Sequence, residues 1–328
     1  MREFPAETRH RFMHITRDQI YKDVIMGIAI TAIISMTALY LTVMGPFVGL
    51  FVPLPILFYR FKLGRPLGLL ILTAVTLIMI SAVGWKSVGA VAFLFELSLV
   101  GLILPEVFEM NLSVEKTVGI TTGVVLTTGA MMLALYSLLS ATSPWDAVSD
   151  LLEKSVKLAL AMYKEMDTSK EEMGALAESL DGIVYIILRT IPAIVIAMTL
   201  FVVWSNLLFA RFMLRSKQLF CPDFGRLNRW RAPEPLVWIA IASGGLLLFG
   251  HPGMKMLGIN GLIVIMMIYF FQGIAIVSFY FEKKQFSKAL RALLYALIAM
   301  QQLLLLAVIA VGFFDVWIDF RRTRKVES

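Results

Sequence analysis

The stretch AVAFLFELSLVGLIL, residues 90 to 104, carries a single charged side chain, Glu96, inside an otherwise apolar segment. An ionisable group there costs a few kcal/mol at mid-bilayer depth, so it is a candidate for function. Two readings stand. Glu96 is a proton-binding or ligand-contacting carboxylate facing a helix-bundle interior, or a neutral acid that hydrogen-bonds a neighbouring helix. Arg189, in GIVYIILRTIPAI, either snorkels to the interface, pairs with Glu96, or holds an anion. Gln272, in YFFQGIAIV, and the pair Gln301 and Gln302 can bond across helices through their amides. Asn206 and Asn260 lie nearer segment ends.

The run GFFDVWIDFRR places Asp315 and Asp319 at i,i+4, on one helical face, with Arg322 three residues beyond. Phe313, Phe314, Trp317 and Phe320 form an aromatic belt. This reads as an interfacial anchor with internal ion pairs, or as a binding site built on the two acids. The D-x-x-x-D spacing is shared with phospholipid-headgroup transferases, but the matching upstream Asp-Gly…Ala-Arg block is missing.

Other chemistry is excluded by motif. There is no G-x-x-x-x-G-K-[ST] and no H-E-x-x-H. Ala242-Ser243-Gly244-Gly245 lacks nucleophile-elbow form. One cysteine, Cys221, and three histidines offer neither a disulfide nor a Cys-rich metal site. The expectation is a protein that is not an enzyme, holds no cofactor and binds no nucleic acid.

The elements that would position these groups follow from composition. The chain is 59% hydrophobic and 16% charged, and its mean hydropathy is +0.81. Soluble domains carry roughly 25% charged residues. Apolar blocks of bilayer length recur, so the fold class is all-α: a polytopic transmembrane helical bundle of eight or nine segments. They fall at about 24–44, 46–59, 67–84, 88–104, 118–140, 181–210, 236–250, 258–281 and 289–314. Segment 46–59 is broken by Pro53 and Pro55, and reads as a short kinked helix or a re-entrant turn. No signal peptide is legible at the N-terminus.

Four organisational parts are expected: an N-terminal arm (1–23), a transmembrane core (24–210), a basic loop (211–235) and C-terminal helices with an interfacial tail (236–328). Residues 143–178 form an insert in the core. Ser143-Pro144-Trp145-Asp146 starts a helix, Trp145, Val148, Leu152, Ala159, Met162 and Met166 recur at helical spacing, and Thr168 with Glu171 forms a second capping box. An amphipathic helix on the membrane surface, or on a partner, fits that pattern. If segment 46–59 crosses, the basic clusters in the arm, at 60–65, at 211–231 and at 283–291 share one side, which the positive-inside rule makes cytoplasmic. A ninth crossing would put the basic tail outside. One segment is therefore re-entrant, or the tail lies along the interface. Small-residue stripes at Gly27/Thr31/Ser35, Gly119/Gly123/Gly129 and Ala289/Ala292/Ala296/Ala299 mark close helix packing.

Two stretches carry a resemblance. PEPLVWIAIA (233–242) with GINGLIVIMMIYFFQGIAIVSFYF (258–281), and GFFDVWIDFRR (312–322), resemble the bacterial YybS-like family of predicted multi-pass membrane proteins. That resemblance implies no activity and transfers no functional residue. Around GPFVGLFVPLPILFYRFKLGRPLGLLI the first half is distantly similar to the substrate-binding S subunits of energy-coupling-factor transporters. Those are six-helix units that bind a small solute and dock on an ATPase module.

Two functions follow as expectations for a bacterial cytoplasmic-membrane protein with its N-terminus inside. The first binds or moves a small solute or lipid, with Glu96, Arg189 and Gln272 lining one cavity. The second is a non-transporting scaffold that holds partner proteins in the bilayer through the 211–231 loop and the 143–178 helix.

Overall fold

The computed structural model describes residues 17–41, 44–84, 88–143, 145–146, 148–150, 152–156 and 170–321. Among these residues every long element is a helix and no strand occurs. The helices are α1 (Arg17–Tyr40), α2 (Gly45–Gly49), α3 (Pro53–Leu63), α4 (Arg65–Val83), α5 (Val88–Glu109), α6 (Val114–Ser140), α7 (Lys170–Ser216), α8 (Leu236–Leu246), α9 (Pro252–Lys283), α10 (Lys288–Met300) and α11 (Gln302–Ile318). The chain divides into two compact units: Met1–Met132 with Leu200–Asp223, and Leu133–Thr199 with Phe224–Ser328.

Seven helices are long and apolar enough to cross a bilayer, or eight if the bent pair α10–α11 is one span. Segment 236–250 drops out of the expected count. Its helix α8 has 11 residues, about 16 Å, half of a hydrocarbon core. Helix α1 begins at Arg17, within the last part of the expected arm. Segment 46–59 is the kinked-helix alternative: α2 and α3 together pass as one 19-residue span. Pro53 stands in the first turn of α3, where its missing N–H leaves no bond unmade.

In the first unit, α1, α3, α4 and α5 close on Val52, Ile56, Tyr59, Ile71, Val75, Met79 and Leu94. The α1 stripe is a packing face, as its spacing indicates: Gly27, Thr31 and Ser35 are buried. A Cβ on Gly27 would sit 2.8 Å from Ile71 and Tyr59. The turn at residues 50–52 interrupts the backbone ladder, and Asn206 of α7 donates to the Leu50 carbonyl at 3.0 Å. Broken backbone at membrane depth needs such a partner. The α6 stripe behaves differently. Gly119 and Gly123 are exposed with open space beside them.

In the second unit, α8, α9 and α11 gather around Ala232, Ala240, Ile265 and Tyr269. Gly312 lies against the Tyr269 carbonyl and Gly273 against that of Val308, so α9 and α11 cross backbone to backbone. The segment expected at 289–314 breaks at Gln301 with a 101° bend. Asn228 bonds Glu282 at the end of α9, and Arg321 bonds the Asn228 carbonyl at 3.1 Å. The chain from α9 to Arg321 thus leaves and returns at the same end of the unit. The bent pair α10–α11 is a broken span or a re-entrant loop. The α10 alanines are exposed, against the close packing expected of that stripe.

Ser143 accepts from the Trp145 amide at 3.2 Å, as a cap should, and the described residues of 145–156 are helical. Residues 157–169, with Ala159, Met162, Met166 and Thr168, lie outside the described residues, as does Arg322. Residues 170–178 open α7.

Candidate functional site

Glu96 lies midway along α5 in the first unit. Its Oε2 accepts from Thr128 Oγ1 of α6 at 3.2 Å. The carboxyl packs over Gly129, where a Cβ would come within 3.5 Å of it. That is an ordinary contact distance, so the space beside Glu96 does not by itself require glycine here. Thr128 has one proton and also lies 2.8 Å from the Val125 carbonyl. Glu96 therefore receives at most a shared bond, and its Oε1 is buried without a protein partner.

Arg189 and Gln272 both belong to the second unit. The Arg189 guanidinium stacks 3.8 Å from the Tyr185 ring centroid, a cation–π contact on an exposed face. Its carbonyl, one turn ahead of Pro192, accepts from Asn260 of α9 at 2.9 Å. Gln272 is twelve residues further along α9, about 18 Å by helical rise. These two side chains are not brought together.

Gln272 is at the centre of something else. It is buried, its Oε1 accepts from the Ala232 amide at 2.9 Å, and its Nε2 donates to Asp315 Oδ2 at 3.0 Å. Asp315 is fully buried. It also accepts from Arg321 Nη2 at 2.7 Å and from the Phe320 amide at 3.0 Å. Arg231 pairs with Asp319 and reaches 3.9 Å from Asp315. Arg321 Nη1 donates to the carbonyls of Asn228 and Trp230, at 3.1 and 2.8 Å, and Tyr280 donates to that of Phe320 at 2.8 Å. Burial draws the Arg321 guanidinium down from its ordinary value, and its bond to Asp315 opposes that.

Two arginines and two aspartates cancel in charge. Together with Gln272 they fasten residues 228–232 against α9 and the end of α11. Asp319 makes this possible by turning left-handed at φ 46°, which ends α11 and lets Phe320 and Arg321 fold back. Of the two readings of GFFDVWIDFRR, the ion pairs are present, but around Asp315 they are buried. Arg231 and Arg321 had no distinguishing sign in the sequence.

A second charged cluster lies in the first unit. Arg60, 4% exposed, is held between Glu106 and Glu109, and Arg65 bonds the same two acids at 2.7 and 2.9 Å. In the sequence these arginines register only as markers of sidedness. Among the described residues no group of three or more His, Cys, Asp and Glu side chains could hold a metal ion. Cys221 is half-buried, and burial pushes its thiol up.

Spans of this length, a buried polar lock around Asp315 and a broken segment whose Leu50 carbonyl is bonded by Asn206 define a polytopic α-helical integral membrane protein. Within that class the chain belongs to the family described as predicted membrane protein (DUF2232), which matches residues 29–316. This agrees with the resemblance carried by the C-terminal half, and says nothing of a likeness to S subunits. No curated protein and no solved structure matches the chain significantly.

Proposed function

We propose that this protein is a non-enzymatic scaffold of the bacterial cytoplasmic membrane, whose second unit offers a fixed basic face to an acidic surface on a partner protein. The pinning of residues 228–232 supports this reading most. A loop that merely links two spans needs no buried Asp–Arg pair, and burying such a pair is costly. Here Gln272, Asp315 and Arg321 are all committed to holding it. The exposed cations Arg226 and Arg229 adjoin the pinned segment, and Lys283, Lys284 and Lys288 follow Glu282, which Asn228 bonds. By the positive-inside rule this face and the N-terminus are cytoplasmic.

The carrier reading has less behind it. Both ends of the Gln272 amide are engaged, and Arg189 stands well away from it. A cavity among α1, α4 and α5, lined by Ser35, Met79, Leu94 and Ser98, holds about 10 Å³, room for one water. The deciding experiment is native mass spectrometry of the protein gently extracted from its membrane, beside Glu96→Gln. Bound partner proteins, unaffected by the substitution, are expected. A small molecule of fixed mass, retained by the wild type and lost in the variant, would overturn the scaffold.

A further inference from the structure

Independently of the scaffold reading, the surroundings of Glu96 favour one form of its carboxyl. An ionised carboxylate kept from water needs a cation or several donors, while the neutral acid needs only what an ordinary polar group needs. α5 carries no other titratable group from Val88 to Pro105, and α6 carries none between Lys116 and Tyr136. α1 has none between Asp23 and Tyr40, α4 none after Arg65, and α7 none from Leu200 to Ala210. α3 brings Tyr59, which packs in the core, Arg60, which Glu106 and Glu109 hold, and Lys62, which Asp23 holds. Glu106 lies about 15 Å beyond Glu96 by helical rise. Among the described residues no cation therefore stands by the carboxyl.

Donors are short as well. Thr128 Oγ1 lies 2.8 Å from the Val125 carbonyl, and 3.2 Å from both the Val124 carbonyl and Glu96 Oε2. For an ionised Glu96, the one hydroxyl proton has to serve all three oxygens. Its best place is the shortest contact, the Val125 carbonyl, a back-bond that threonine makes inside helices. The contact between Thr128 and Oε2 then lacks a hydrogen unless Glu96 supplies it. Oε1 faces Gly129, which has no side-chain donor, and is buried without a partner. A neutral carbonyl oxygen tolerates that position better than a charged one. One proton on Oε2 completes the row: Glu96 donates to Thr128, and Thr128 to Val125. A hard metal ion would need about six oxygens, more than Glu96 and Thr128 bring together.

We propose that Glu96 is a proton-binding site, filled at neutral pH, whose proton sits on Oε2 and joins α5 to Thr128 of α6. The test is infrared difference spectroscopy of the full chain in detergent, wild type against Glu96→Gln. At neutral pH the variant should lose the C=O stretch of a protonated carboxyl and keep the carboxylate bands unchanged. Acidification should add nothing to that difference, because the site is already filled. Thr128→Val removes the acceptor, so the protonated band should persist and move to higher frequency. Loss of carboxylate bands in Glu96→Gln, or a Glu96 band that arises only in acid, would overturn the site. An unmoved band in Thr128→Val would overturn the bond to α6.

Discussion

Each unit holds a carboxylate between its helices, Glu96 half-buried and Asp315 fully buried, and the two are treated in opposite ways. Glu96 meets one shared hydroxyl and a glycine, and one of its oxygens has no protein partner. Asp315 receives an amide, a guanidinium and a backbone N–H, and a second arginine stands nearby. The contrast separates two roles for a buried acid. A charge removed from water is retained where paired groups and hydrogen bonds compensate it. Asp315 is compensated in that way and organises a loop. Glu96 has no such compensation: one shared hydroxyl reaches it, and Oε1 is left without a protein partner.

Removing the compensated acid tests this contrast most severely. Asp315→Ala leaves Arg321 buried and unpaired, and should cost the second unit about 3–5 kcal/mol, read as a large fall in the detergent unfolding midpoint. It should also make Asn228 and Arg229 accessible to proteolysis, while a loop that stays protected would contradict the lock. Gly312→Val should come next. Its side chain would run into the Tyr269 backbone, and overpacking of this kind costs about 1–3 kcal/mol, so the unfolding midpoint should again drop. Glu96→Gln retains an acceptor for Thr128 and should change stability by under about 1 kcal/mol, the scale of interhelical hydrogen bonds in membranes. A loss matching that of Asp315→Ala would place the two carboxylates in one class.

Arg65→Gln should be smaller still. This side chain is 66% exposed, and exposed pairs contribute about 0–1 kcal/mol, so its unfolding curve should overlay that of the wild type. Cys221 gives a pH-dependent readout outside the spans. Burial raises its thiol above the ordinary range. Between the ordinary value and the raised one, a free thiol is ionised while Cys221 stays neutral. Maleimide labelling should therefore lag that of the unfolded chain at mildly alkaline pH, and the gap should close as pH rises further.

Which parts of this were legible beforehand follows from the range of the interactions. The helices came from local pattern: apolar blocks for the spans, Ser143 for its cap, and the four-residue stripe at Gly27, Thr31 and Ser35 for the buried face of α1. The bend at Gln301 left no proline or glycine to announce it, so 289–314 read as one segment. For the candidate sites, the cost of burying Glu96 and Gln272 flagged them as polar groups needing partners. Nothing local says that Gln272 meets Asp315, 43 residues away, or that Arg231 meets Asp319 at a separation of 88. Arg60 and Arg65 counted only as positive charge until Glu106 and Glu109 came beside them.

Local sequence was enough to dictate that this chain belongs in a membrane, that its spans are helices, and which residues would be expensive there. Those are consequences of transfer free energy and backbone satisfaction, which act on each segment separately. The packed fold was needed to settle which expensive groups compensate one another, that Asn206 patches the break at Leu50 while Asn260 bonds the Arg189 carbonyl, and that the chain turns back after α9. Those depend on which helices approach closely enough for a hydrogen bond, and that geometry is set by the whole packing.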